Sequence, residues 1–136
     1  TITSKKIIKK QEINKMKQQL DLNDTLTKIV QALDEKKAQD IRVIKVERLT
    51  TLTEYFVICN GTNSTQIKTL ADNVEVKIKD DIDILHREGY NSGNWVLLDY
   101  GCIIVHVFHK DVREVYDLEK LWSDGEQIDI STFLKA

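Results

Sequence analysis

Asp99, Tyr100, His106, His109 and Tyr116 sit among the apolar strand and helix formers that run from Trp95 to Trp122. Polar side chains in such company need a reason: a ligand, a proton to move, or a partner. These two histidines, with His86, first raise metal binding. On an extended strand, residues i and i+3 face opposite sides, so His106 and His109 cannot chelate one ion unless the strand ends between them. Neither Cys59 nor Cys102 is spaced as a zinc ligand. His106 therefore reads as a hydrogen-bonded core or interface histidine. Nucleophilic catalysis is no better served, because no serine sits in a glycine-flanked elbow and nothing pairs a cysteine with a histidine.

Two other groupings invite a chemical reading. Asp81 and Asp83 lie two apart, a spacing that on a strand would aim both carboxylates at one magnesium ion. No third acidic strand residue accompanies them, and KDDID reads equally well as a solvated helix end. The turn Gly61–Ser64 leads into a helix whose N-terminus would attract an anion. It lacks the lysine of a phosphate loop and the three-glycine spacing of a dinucleotide fingerprint.

The aromatics point elsewhere. Trp95, Tyr100, Phe108, Tyr116 and Trp122 are five of the nine in the chain, gathered in about a fifth of its length. A core would explain Phe108 and Trp122. Tryptophan and tyrosine also dominate interface hot spots, and Tyr100 occupies a turn, where a core role is least natural. A protein-binding surface is the reading these residues favour.

These side chains must be carried by a few elements. Cys102, Ile104, His106 and Phe108 share one face of a strand, and Ile103, Val105, Val107 and His109 the other. Neither face is fully polar, so the strand belongs inside its sheet. Asp99-Tyr100-Gly101 turns the chain back from a first strand at 95–99, making a hairpin, and a helix begins at Asp111. Upstream, IRVIKV at 41–46 and YFVICN at 55–60 are strands, and IDILHREG at 82–89 is a short one. Leu22, Leu26, Ile29, Val30 and Leu33 form a helical stripe with Asn23 or Asp24 as its cap. Ile67, Leu70, Ala71, Val74 and Ile78 form a second stripe, capped by Ser64. The pattern predicts a single α/β domain with a mixed sheet of about five strands flanked by helices. Residues 1–20 form an extension of loosely helical spacing, 21–123 the domain, and 124–136 a polar, peripheral tail.

Charge narrows the partners. Across 1–20, six lysines face Glu12 alone, giving +5. The whole chain carries −2, which leaves −7 on the remaining 116 residues. An acidic body argues against general nucleic-acid binding and for a basic protein partner; the lysine arm is the part suited to RNA phosphates, or else a solvated extension. Two cysteines do not make a disulfide scaffold, and no apolar run is long enough to span a membrane. With no apolar signal core either, the expected compartment is the cytoplasm.

The ordered strings WVLLDYG at 95–101, VHVF at 105–108 and REVYDLEKLW at 113–122 closely resemble the ribosomal silencing factor, or Iojap-like, family. TEYFVICNGTNSTQIKTLADNV at 53–74 extends the resemblance, which covers roughly residues 22–123. Cys102 departs from it, where an acidic or small polar residue commonly follows the glycine. The resemblance implies a nucleotidyltransferase-like topology and a non-enzymatic, cofactor-free repressor of translation. It also implies docking on the large ribosomal subunit, through its protein numbered fourteen, so that the small subunit cannot join, and a weak homodimer. On the matching positions the expected partner-binding residues are Trp95, Asp99, Tyr100, Gly101, His106, Phe108, Glu114, Tyr116 and Leu118. The competing expectation is a nucleotidyltransferase-like enzyme using Asp81 and Asp83 with magnesium.

Overall fold

The computed structural model describes residues 2–134, with side chains described for Lys9, Lys10, Glu12 and from Leu22 onward. Helix α1 spans Ile2–Glu35 without interruption. The extension and the first stripe are thus one helix, not an arm followed by a separately capped helix. No glycine or proline occurs before Lys36 to break it. Asn23, expected as a cap, instead lies mid-helix, its carbonyl accepting from Thr27 Oγ1 at 2.8 Å. The helix stops where Lys37 turns left-handed (φ 65°). Ala38 N–H then reaches Leu33 O at 2.9 Å and Lys37 N–H reaches Asp34 O at 3.0 Å, the paired bonds of a Schellman ending.

Strands β1 (Gln39–Lys45) and β2 (Tyr55–Gly61) follow, then α2 (Ser64–Ile78), β3 (His86–Glu88), β4 (Trp95–Asp99) and β5 (Ile103–His109). Helices α3 (Lys110–Tyr116) and α4 (Leu118–Leu121), strand β6 (Glu126–Ile128) and helix α5 (Ser131–Leu134) complete the chain. Asn63, not Ser64, caps α2, its side chain accepting from Gln66 N–H at 2.9 Å. Gln66 Oε1 in turn accepts from Thr62 N–H at 2.8 Å. The N-terminal turn of α2 is thus capped by its own chain at Gln66 N–H.

The strands form one mixed sheet in the order β3-β4-β5-β2-β1-β6. β2 and β5 run parallel at its centre and the other pairs are antiparallel. The sixth strand comes from the segment expected to be a peripheral tail. Its polarity misled because β6 is a short edge strand with mostly exposed side chains. Beyond it, Phe133 is buried, and Gln31 of α1 donates to its carbonyl at 3.0 Å. The strand expected over 82–89 shrinks to His86–Glu88. Just before it, Leu85 N–H donates to Asp99 O at 2.7 Å.

One sheet face is thickly covered. Val43, Val57, Cys59, Val96, Leu98, Ile103, Val105 and Val107 meet the buried stripes of α1 and α2 in the main core. Each such side chain contributes roughly 1.5–3 kcal/mol by leaving water. The opposite face has only Ile44, Val46, Phe56, Ile58 and Phe108 fully packed, beneath the short helices α3 and α4. That asymmetry leaves β4 and β5 partly open.

Candidate docking face

The open face follows from strand alternation. On β4, Val96 and Leu98 point into the main core, so Trp95, Leu97 and Asp99 point the other way, each half-buried. The antiparallel register sets Trp95 opposite Phe108, Leu97 opposite His106 and Asp99 opposite Ile104. Leu97 and Ile104 thus leave apolar surface next to an aromatic group that α3 and α4 only partly roof.

Trp95 is the hub of that group. Its ring stacks on Phe108 at 4.7 Å and meets Tyr116 of α3 at 4.8 Å. Its indole Nε1–H donates to His106 Nδ1 at 3.1 Å. Phe56 packs edge-on against both His106 and Trp122, each at 5.2 Å. Phe108 and His106 form the buried floor, while Tyr116 keeps 57% of its surface exposed. The chain behind Trp95 also needs Gly89 (φ +77°), because a Cβ there would sit 2.0 Å from Trp95 O.

His106 is 5% exposed and holds no charge near neutrality, because burial lowers its pKa from 6.5 to about 4. With Nδ1 accepting from the indole, the neutral ring carries its proton on Nε2. Nε2 is buried and meets no partner among the described residues. The histidine is therefore a neutral hydrogen-bond acceptor that fixes the tryptophan, in keeping with the core or interface role read from the sequence. His109 points elsewhere: it caps α3, Nδ1 accepting from Asp111 N–H at 3.3 Å.

Not every expected contact residue joins this face. Tyr100 is 5% exposed and packs in the main core beneath α2, on the other side of the sheet. Its place in a turn suggests the partner surface, because turns are usually wet. Here the turn is so tight that Tyr100 keeps the alternation of β4, after Val96 and Leu98. Its Oη is buried without a partner among the described residues, and burial pushes the phenol pKa up. Gly101 (φ +85°) allows the turn, and its N–H donates to Asp99 Oδ1 at 2.8 Å. Asp99 thus performs the turn-closing role that a short acidic side chain offers. Glu114 is exposed on α3, and Leu118 opens α4 half-buried against the aromatic floor.

The chemical alternatives find little support in the geometry. Asp81 lies in a turn, not on a strand, and its carboxylate is engaged by Lys28 Nζ at 2.8 Å. Asp83 is exposed outside any strand, so the pair does not share a strand face. Among the described residues, no three histidine, cysteine, aspartate or glutamate side chains gather as a metal site requires. Burial pushes the Cys59 thiol up to about 12, leaving it protonated and unreactive.

Sequence reading missed Arg113. It is 7% exposed and joins α3 to α4, β1 and β2: Nε donates to Glu119 Oε1 at 2.6 Å, and Nη1 to Asp40 O at 2.7 Å and Asn60 Oδ1 at 2.8 Å. Arginine is rarely buried, so nothing local marks it.

Along most of its length the chain is similar to known proteins. A family model described as ribosomal silencing factor during starvation matches residues 19–136. The ribosomal silencing factor of Halalkalibacterium halodurans is 37% identical over 102 residues, spanning 74% of this chain and 87% of that protein. That of Bacillus subtilis is 38% identical over 100 residues, spanning 73% and 85%. A crystal structure from Chromobacterium violaceum superposes with a TM-score of 0.72 at 36% identity, covering 78% of this chain and 88% of that one. With the family model spanning most of its length, the chain belongs to the ribosomal silencing factor family.

Proposed function

We propose that this protein docks through the Trp95–Tyr116 face onto the large ribosomal subunit, at its basic protein numbered fourteen, and blocks joining of the small subunit. The observation that carries the reading is an aromatic cluster held rigidly from below by His106 and Phe108 yet exposed at Tyr116. Rigid, partly exposed aromatics are the usual anchors of protein interfaces. Family membership supplies the ribosome. Asp111, Glu114 and Asp117 on and around α3 give the face an acidic border suited to a basic partner. Trp95, Phe108, Tyr116 and Leu118 form the apolar centre, with Asp99 and Glu114 at its rim.

The action is occlusion, with no reaction and no cofactor. It takes place in the cytoplasm. A weak homodimer through the same face competes with ribosome binding, and the lysines of residues 1–20 add contacts to ribosomal RNA. Of those lysines, Lys9 and Lys10 are exposed, and Lys5, Lys6, Lys15 and Lys17 have side chains outside the described ones. Cosedimentation with purified large subunits tests the face: Tyr116→Ala should weaken binding by about 2 kcal/mol with the fold retained. A folded Tyr116→Ala protein that pellets like wild type would remove this surface.

A further inference from the structure

We propose that Arg113 is the positioning residue of the docking face, a buried clamp that sets α3 and α4 against the sheet so that Tyr116 and Trp122 are presented together. The inference rests on the docking reading above. Helices of seven and four residues are too short to hold themselves in water. They also bury little: Tyr116, Val115 and Leu121 are all exposed, and Val112, Leu118 and Trp122 are half-buried. Something other than apolar packing must fix their pose.

The guanidinium is placed to do so. On the sheet side, Nη1 takes the Asp40 carbonyl and Asn60 Oδ1, with Nη2 3.5 Å from Asp40 Oδ2. Asp40 presents that carbonyl because β1 is irregular there, with φ 46° and a shifted register between Gln39 and Arg42. Asn60 is itself held, its amide donating to Gln39 Oε1 at 2.9 Å. On the helix side, Nε donates to Glu119 Oε1 at 2.6 Å, and Nη2 lies in ion-pair contact with the same oxygen at 2.5 Å while making no hydrogen bond among the described residues.

The backbone closes the device. Asp117, left-handed at φ 44°, breaks α3 from α4 and donates its N–H to Arg113 O at 2.9 Å. Its side chain then caps α4 at Lys120 N–H, 3.3 Å away. Residues 113–119 therefore form a closed loop, tied by a backbone bond at one point and an ion pair at another, whose centre carries Tyr116. A cation this deeply buried depends on its partners, so losing Glu119 would leave it largely uncompensated. Lysine carries its three donors on one nitrogen, so it lacks the planar fork by which separate guanidinium nitrogens reach the Glu119 carboxylate and the Asp40 and Asn60 oxygens.

The test pairs Arg113→Met with Glu119→Gln, so that no charge is left buried alone, and uses the full chain with purified large subunits. The expected result is a folded protein whose Kd for the subunit rises roughly tenfold, typical of residues that act without touching the ligand. Backbone hydrogen exchange over 110–122 should quicken, while β2, β4 and β5 stay protected. Arg113→Lys should show the same pattern. If Tyr116→Ala weakens binding but the double variant binds as wild type, the clamp is overturned. If Tyr116→Ala has no effect, the docking reading fails by itself, and exchange decides the clamp: faster over 110–122 upholds it, unchanged overturns it. Should the double variant not fold, Arg113→Lys, which keeps a cation beside Glu119, is read by the same two measurements.

Discussion

The buried neutral histidine beneath Trp95 makes stability depend on pH in a way that can be worked out. In the folded chain His106 has a pKa lowered from 6.5 to about 4 by burial. Above pH 6.5 both folded and unfolded states hold it neutral, and it adds no pH dependence. As pH falls through 6.5 the unfolded chain gains a proton that the folded one refuses until about pH 4. Stability is therefore lost over that window as pH falls. Linkage puts the loss at roughly 2 kcal/mol between pH 7.5 and pH 5. Other groups titrate too, so the comparison must be with His106→Gln, whose side-chain oxygen can still accept from the Trp95 indole. Urea unfolding of both proteins, followed by circular dichroism at pH 7.5 and 5.0, should show wild type losing about 2 kcal/mol more than the variant. Equal losses would refute the buried, uncharged histidine. Protonation would also put a second N–H against the indole donor, so wild-type tryptophan fluorescence should shift near pH 4, before global unfolding.

Tyr100→Ala should cost about 3–5 kcal/mol in urea unfolding, as a large buried ring is removed, whereas Tyr100→Phe should be neutral or stabilising because the hydroxyl it removes has no partner among the described residues. Asp99→Asn keeps an acceptor for Gly101 N–H, so stability should hold; if Asp99 also steers the basic partner, stopped-flow association at low salt should slow, and the difference should shrink as salt screens it over about 8–10 Å. Equal rates at low salt would leave Asp99 only the turn. Deleting residues 1–20 should flatten the slope of log K against log salt by roughly 0.7–0.9 for each RNA phosphate that the lysines neutralise, and identical slopes would mean that they touch no RNA.

Elements with strong periodicity were legible in the sequence because burial imposes it. The stripes of α1 and α2, the two-sided apolar β5 and the hairpin all follow directly from spacing. His106 was legible as a partnered histidine for the same reason. β6 was not, because an exposed edge strand of three residues carries no alternation to read. Tyr100 was misplaced because turn position is only a proxy for exposure, and this turn keeps the strand's alternation for one residue more. Leu97 and Ile104 went unnoticed although the alternation pointed to them, since a half-covered sheet face looks apolar whether it is core or interface. The Arg113–Glu119 pair was hidden by its spacing of six, which no continuous helix brings together. Only the left-handed Asp117 between α3 and α4 does so.

On the proposed function, the Trp95–Tyr116 face blocks subunit joining by occupying the large subunit. Light scattering of mixed large and small subunits, with this protein added in increasing amounts, tests it most directly. Wild type should suppress the rise in scattering in proportion to the large subunits it occupies, and Tyr116→Ala should need roughly thirtyfold more protein for the same suppression, the equivalent of a 2 kcal/mol hot-spot loss. Full joining in the presence of saturating wild-type protein, or equal suppression by Tyr116→Ala, would contradict the account.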